Sequence, residues 1–179
     1  DMEVLQKYHE GLIALSACLA GEVQRNISKG LLEEARKSAR KYEACFGKGN
    51  YFLEMQEDGI TEQKRVNMEL MNMSREMEIP LVVTNDVHYT YETDVEAHDI
   101  LLCLQTGKKL SDEDRMRYEG GQYFVKSEEE MKGLFPYAWE AVENTQRIAD
   151  RCHVEIEFGV TKLPKYEVPE GFDSWTYLK

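Results

Sequence analysis

Ile79-Pro80-Leu81-Val82-Val83-Thr84-Asn85-Asp86-Val87-His88 decides the fold. Leu81 to Thr84 is a compact apolar run of strand length, rich in β-branched residues, and Pro80 ends the connection before it. Asn85, Asp86 and His88 follow at its carboxyl end. In parallel α/β folds, binding groups collect at that end. Residues two apart in extended chain point to one side, so Asp86 and His88 address one space. A carboxylate and an imidazole form a common ligand pair for zinc or manganese. An aspartate capping a turn beside an ordinary hydrogen-bonding histidine gives the same pattern.

Upstream, a strand-then-helix pattern occurs twice. Leu12 to Leu15 reads as a buried strand ending in Ser16-Ala17-Cys18. A helix over 31–46 follows, with Leu32, Ala35, Ala39, Tyr42 and Phe46 at helical spacing and Gly47 as its stop. Tyr51 to Met55 is a second strand, and Asp58-Gly59 is a turn signal. The helix predicted over 61–77 carries Val66, Leu70, Met73 and Met77 on one face. That stripe reads as core rather than as a ligand site.

Downstream of the third strand, Thr93 and Glu96 have capping-box spacing and predict a helix start. Its apolar face is Ala97, Ile100, Leu101 and Leu104, and Gly107 closes it. Residues 108–121 read as an irregular charged loop and Gln122 to Lys126 as a short strand. Ser127 with Glu130 is a second capping box, opening a helix to Phe135. A longer helix over 136–152 has Ala138, Val142, Thr145, Ala149 and Cys152 on one face. From Thr161, Pro164 and Pro169 mark an extended connector. Three strand–helix alternations argue for a parallel sheet covered by helices. Three strands cannot close a barrel, so they form a small open sheet or one side of a larger barrel.

The 179 residues suffice for one medium domain or a large part of a bigger one. Both ends read as cut through, and Asp1-Met2-Glu3 has no signal-peptide pattern, so a piece of a longer protein is expected. No apolar run approaches the ~20 residues that span a bilayer. The net charge of −12 makes the chain a poor main grip for polyanionic DNA. Lys108-Lys109 and Arg115 with Arg117 could form a local basic patch, against the simpler reading of solvated loop charge. Cys18, Cys45, Cys103 and Cys152 are too far apart for a CxxC motif. Cys45, Cys103 and Cys152 fall on apolar helix faces and read as small hydrophobes.

Each strand is followed by groups able to bind metal or phosphate: Ser16 and Cys18, then Glu54, Gln56 and Glu57, then Asn85, Asp86 and His88. Cys18 could add a thiolate to the metal held by Asp86 and His88. Glu54 faces that site or pairs with a nearby base. His98 reads as a packing or hydrogen-bonding residue, and His9 and His153 have no supporting context. The sequence contains no glycine-rich phosphate loop, no Ser-His-Asp arrangement and no acidic cluster of the two-metal polymerase type. It names no catalytic acid or base.

Six stretches, read together, resemble one family. They are GLIALSACLAGEV (Gly11–Val23), YFLEMQEDGITEQKRVN (Tyr51–Asn67), IPLVVTNDVHY (Ile79–Tyr89), EAHDILLCLQTGK (Glu96–Lys108), YFVKSEEEM (Tyr123–Met131) and ENTQRIADRCHVEIEFG (Glu143–Gly159). In order and spacing they are similar to bacterial DNA polymerase III alpha subunits, in the polymerase and histidinol phosphatase (PHP) domain and its exit. The resemblance covers nearly the whole chain. It implies an α/β fold that is part of a distorted (βα)7 barrel, with C-terminal helices leading toward the polymerase core. Residues 1–110 would be the C-terminal part of the barrel, 111–160 a loop and helices completing or flanking it, and 161–179 the connector.

The resemblance puts Cys18 in LSACL and Asp86 and His88 in TNDVH on metal-ligand positions for zinc or manganese, with magnesium as a third choice. The family's opening H-x-H motif is absent from this sequence. With most of its ligands missing, this chain alone is expected to be metal-free, without polymerase activity and with little or no hydrolase activity. The intact relative would carry out template-directed DNA synthesis in the cytoplasm, using DNA, deoxynucleotides and other replisome subunits as partners and no membrane. Its PHP domain would be a metal-dependent 3′–5′ exonuclease or a structural support. An isolated part-barrel is also expected to self-associate through uncovered apolar faces. The competing reading is a stand-alone PHP phosphoesterase such as a histidinol phosphatase. Cys18, where those enzymes resemble a histidine-bearing strand, and the long segment after Gly107 count against it. A non-enzymatic replisome scaffold is a further alternative.

Overall fold

A computed structural model describes residues 1–164 and 166–179. Its centre is β2 (Tyr51–Met55), whose five residues are all buried. A strand buried on both faces is what a parallel sheet between helices produces. The short β1 (Ala14–Leu15) pairs with its first half and β3 (Leu81–Val83) with its second, both in parallel. The order β1-β2-β3 puts all three carboxyl ends on one rim. This is the mixed α/β architecture expected, as a small parallel sheet. Among the described residues the three strands form a sheet and no closed barrel.

β1 is an edge strand rather than the buried one expected, with Leu12 and Leu15 both exposed. Its shortness has a local cause. Ser16 N still donates to Phe52 O (3.0 Å), but the Ser16 hydroxyl then accepts from Glu54 N (2.8 Å). A side chain thus takes the main-chain donor of β2, and Ala17 turns away with a left-handed φ of 66°.

Helices α2 (Glu22–Ser28), α3 (Leu32–Phe46) and α4 (Thr61–Met77) cover the sheet. Ala35 and Ala39 of α3 are fully buried, as are Val66, Leu70 and Met73 of α4. The methionine stripe is therefore core, as its period predicts. A short α1 (Met2–Tyr8) precedes β1, and neither it nor α2 carries a periodicity strong enough to be read from sequence. The other edge of the sheet is closed by α7 (Trp139–Arg151), which packs on β3. Asn144 donates to Leu81 O (2.7 Å) and so occupies an edge carbonyl.

Several expected details are corrected. The third helix expected from sequence, α5 (Val95–Thr106), is entered through a 3-10 turn at Glu92–Asp94, and Tyr91 N donates to Asp94 rather than Thr93 pairing with Glu96. α5 buries Leu102 and Cys103, while Ile100, Leu101 and Leu104 of the expected face lie exposed. Gln122 to Lys126 forms a single bridge, Tyr89 with Phe124, instead of a strand. The Ser127–Glu130 capping box is present and opens α6 (Glu128–Leu134). α7 starts three residues later than expected and buries Ala141, Val142 and Asn144; Cys152 is exposed. Among its described residues the tail from His153 is exposed apart from half-buried Val168, and it ends in a one-turn α8 (Ser174–Leu178).

Candidate metal site

The rim is knitted together by buried polar side chains. Gln24 of α2 donates to the Ser16 hydroxyl (2.6 Å), Ala17 O (2.7 Å) and Glu54 O (3.2 Å). Glu54 does not pair with a base. Its carboxylate accepts from Ala17 N (2.9 Å) and from the Thr84 hydroxyl, tying the exits of β1 and β3 across β2. Gly21 is needed because a Cβ there would lie 2.4 Å from Ser16 O. Gly21 N then donates to Cys18 O (2.8 Å), which shapes the loop that presents Cys18 to solvent.

After β3 the chain is stitched to a distant segment. Asn85 donates its side-chain amide to Phe124 O (2.9 Å), and His88 N donates to Tyr123 O (2.8 Å). Asp86 and His88 emerge side by side. His88 Nδ1 lies 3.1 Å from Asp86 O and 3.7 Å from Asp86 Oδ1. The carbonyl oxygen can only accept, so a neutral His88 that makes this bond carries its proton on Nδ1 and leaves Nε2 open to a ligand role. That is the tautomer of a histidine ligating through Nε2.

Asp58, read from sequence only as a turn residue, belongs to this neighbourhood. It is only 6% exposed. Burial, then the charges of Asp86 and Glu57, push its carboxyl up to about 6, with Lys126 and His88 pulling the other way. A buried carboxylate facing a second one makes this end of the sheet attractive to a cation. Tyr123, packed at the same place, is pushed up to about 12 by burial and then by Asp58 and Asp86. The sequence signal for Asp58 is its place in the polar run Glu54, Gln56, Glu57 and Asp58 at the end of β2.

The structure thus brings Asp86 and His88 together and puts Cys18 at the exit of another strand of the same sheet. Among the described residues, no three His, Cys, Asp or Glu side chains gather closely enough to hold a metal ion. A carboxylate, an imidazole and a thiolate are all donor types that divalent metals take. His98 packs in the aromatic group around His88 (ring centroids 5.7 Å apart). Three of the four loop cations that could form a basic patch have partners within the chain. Arg115 forks onto Asp99 (2.7 Å), Lys108 pairs with Asp114 (2.9 Å), and Arg117 reaches Asp112 O (3.3 Å).

Comparison with known proteins decides the kinship. A family model described as "PHP domain" matches residues 1–58. The DNA polymerase III subunit alpha of Treponema pallidum is 46% identical over 97% of this chain, and that of Borreliella burgdorferi 41% over 97%. The Thermus aquaticus subunit is 36% identical over the full chain. Nearly the whole chain is thus similar to one stretch of DNA polymerase III alpha subunits. It spans about 15% of the length of these three polymerase subunits. Likeness over 97% of the chain favours the alpha-subunit reading over a stand-alone histidinol phosphatase. No helix among the described residues is long and apolar enough to cross a membrane.

Proposed function

We propose that this chain forms the carboxyl-end rim of a PHP-type metal site in a DNA polymerase III alpha polypeptide. Cys18, Asp86 and His88 would be ligands there to a divalent metal, zinc or manganese in preference to magnesium. When bound, such a metal polarises a phosphoryl oxygen and lowers the pKa of its water. The chain's own residues supply the surroundings. Asp86 O holds the Nδ1 proton of His88, Glu54 spans the two loops, and Asp58 adds negative potential. The likeness to polymerase subunits along the whole chain carries this reading.

Template-directed DNA synthesis, with DNA, deoxynucleotides and other replisome subunits as partners, would belong to the whole polypeptide acting in the cytoplasm. The PHP part would then act as a 3′–5′ exonuclease or as a support. Residues 1–110 would belong to the barrel, 111–160 would complete or flank it, and 161–179 would connect it onward. Metal content measured on the full-length polypeptide tests the site. Cys18→Ser, Asp86→Ala and His88→Ala should each lower bound zinc or manganese. Full metal occupancy in the triple variant would refute the assignment. This chain alone should hydrolyse neither phosphomonoesters nor DNA 3′ ends with manganese present.

A further inference from the structure

Tyr118 lies in residues 107–122, which form neither helix nor strand. Its ring is the nearest aromatic group to His88, with centroids 4.4 Å apart. It also meets His98 of α5 edge-on at 5.1 Å and Tyr123 at 5.0 Å. Tyr123 in turn stands perpendicular to His88 at 5.4 Å. The exit of β3, helix α5 and the Tyr89–Phe124 bridge therefore converge on one imidazole, with Tyr118 touching all three of His88, His98 and Tyr123.

The segment carrying Tyr118 is fastened on both sides of it. Three residues earlier, Arg115 forks onto Asp99 of α5 and is itself nearly covered, with 6% of its side chain exposed. Two residues later, Gly120 lies against Asp58 and Gly59. A Cβ on Gly120 would stand 1.9 Å from Asp58 O, and one on Gly59 would stand 2.7 Å from Gly120 O. Main-chain atoms meet there, so the seat cannot yield by a side-chain rotation. Both anchors leave Tyr118 little freedom over His88.

A ligating imidazole serves only if its ring and tautomer are fixed, and neighbours that fix them change metal affinity by about 10- to 100-fold. The Asp86 carbonyl sets the tautomer from one side of His88, and the aromatic group limits rotation of the ring. We propose that Tyr118 is a positioning residue for His88. Residues 107–122 act as a strap across the rim, held by the Arg115–Asp99 fork and the Gly59–Gly120 seat. From the proposed function this takes only His88's standing as a ligand.

The test uses the full 179-residue chain with 15N-labelled histidine, at a pH where imidazole is neutral. Long-range 1H–15N spectra report the tautomer, and calorimetry reports Zn2+ binding. Wild type should show His88 protonated on Nδ1 alone. Tyr118→Ala should mix the two tautomers and, where Zn2+ binds wild type, weaken binding at least about tenfold. Tyr118→Phe, which keeps the ring, should restore both. Gly120→Ala should reproduce the Tyr118→Ala spectrum although it touches neither ring, with amide signals of the α3 and α4 core unchanged as the check on folding. An unaltered His88 tautomer in Tyr118→Ala would overturn the inference. Where Zn2+ binds none of these 179-residue proteins, as expected with most ligands missing, the tautomer shift alone decides the strap.

Discussion

Helices α4 and α5 follow neighbouring strands, yet their apolar residues meet opposite fates: α4 carries one apolar stripe, while α5 is apolar through the run Ile100 to Leu104. On α4, Val66, Leu70 and Met73 are fully buried. On α5, Leu101 is 61% and Leu104 74% exposed. The difference lies in how each helix is reached. α4 follows β2 after a short turn and falls back onto the sheet beside α2. α5 follows the rim segment 84–91, which is stitched to residues 123–125, and it meets the loop of residues 107–122 through Asp99 and His98. Periodicity tells which face of a helix is apolar; the connection before the helix decides whether that face is covered.

The sharpest way to break this contrast is truncation in the covered stripe. Leu70→Ala should destabilise the fold by about 2–5 kcal/mol, through lost transfer energy and a cavity that rigid neighbours cannot fill. Urea unfolding followed by circular dichroism measures it. A cost below about 1 kcal/mol would mean that α4 is no more committed to the core than α5.

The same contrast explains what was legible in the sequence. β2, α3 and α4 were readable to within a residue, because each combines a clear period with a stop at Gly47 or a turn at Asp58-Gly59. The Ser127–Glu130 cap was equally plain, since it is a local hydrogen-bond pattern. The edge status of β1 was not legible. It follows from the Ser16 hydroxyl taking Glu54 N, a contact across 38 positions. Of the site, Asp86 and His88 could be paired from their spacing. Asp58, Tyr118 and the Glu54 tie could not, because only the folded rim brings them to it. Cys152 was read as buried from helical phase alone, and α7 ends one residue before it.

Two charged groups sharpen the comparison between the sealed interior and the rim. Asp58 titrates at about 6 when folded, against about 3.9 in an unfolded chain. Between those values the folded state keeps a proton that the unfolded chain has released, so stability falls as pH rises from about 4 to about 6. Above pH 6 the accumulated penalty is on the order of 3 kcal/mol. Asp58→Asn should therefore stabilise the protein at pH 8 and gain little at pH 4. A gain that does not change with pH would show that the carboxylate is not strained by its burial beside Asp86.

Glu22, in the α2–α3 contact, has the opposite sign. Hydrogen bonds from Lys41 (2.8 Å), Tyr42 (2.7 Å) and Ser38 (2.8 Å) hold its carboxyl down to about 2. Its contribution is complete above about pH 4.5 and is lost as pH falls toward 2. A third of the side chain is exposed, so solvent screening reduces the expected loss in Glu22→Gln to about 1 kcal/mol at pH 7. The variant and wild type should converge in acid, which thermal unfolding at pH 7 and pH 3 would register.

The smallest effect on stability belongs to α5. Leu101→Lys and Leu104→Lys remove no buried contact, so each should change unfolding free energy by no more than about 0.5 kcal/mol. Their effect should appear in association instead. Ile100, Leu101 and Leu104 form an apolar patch in water, and contiguous patches of that kind drive protein–protein contact. Light scattering of the wild-type chain should show mass rising with concentration, and the double lysine variant should remain monomeric. If both proteins scatter as monomers, water alone is enough for this face. If the lysines instead destabilise the fold as Leu70→Ala does, α5 is packed after all, and its difference from α4 disappears.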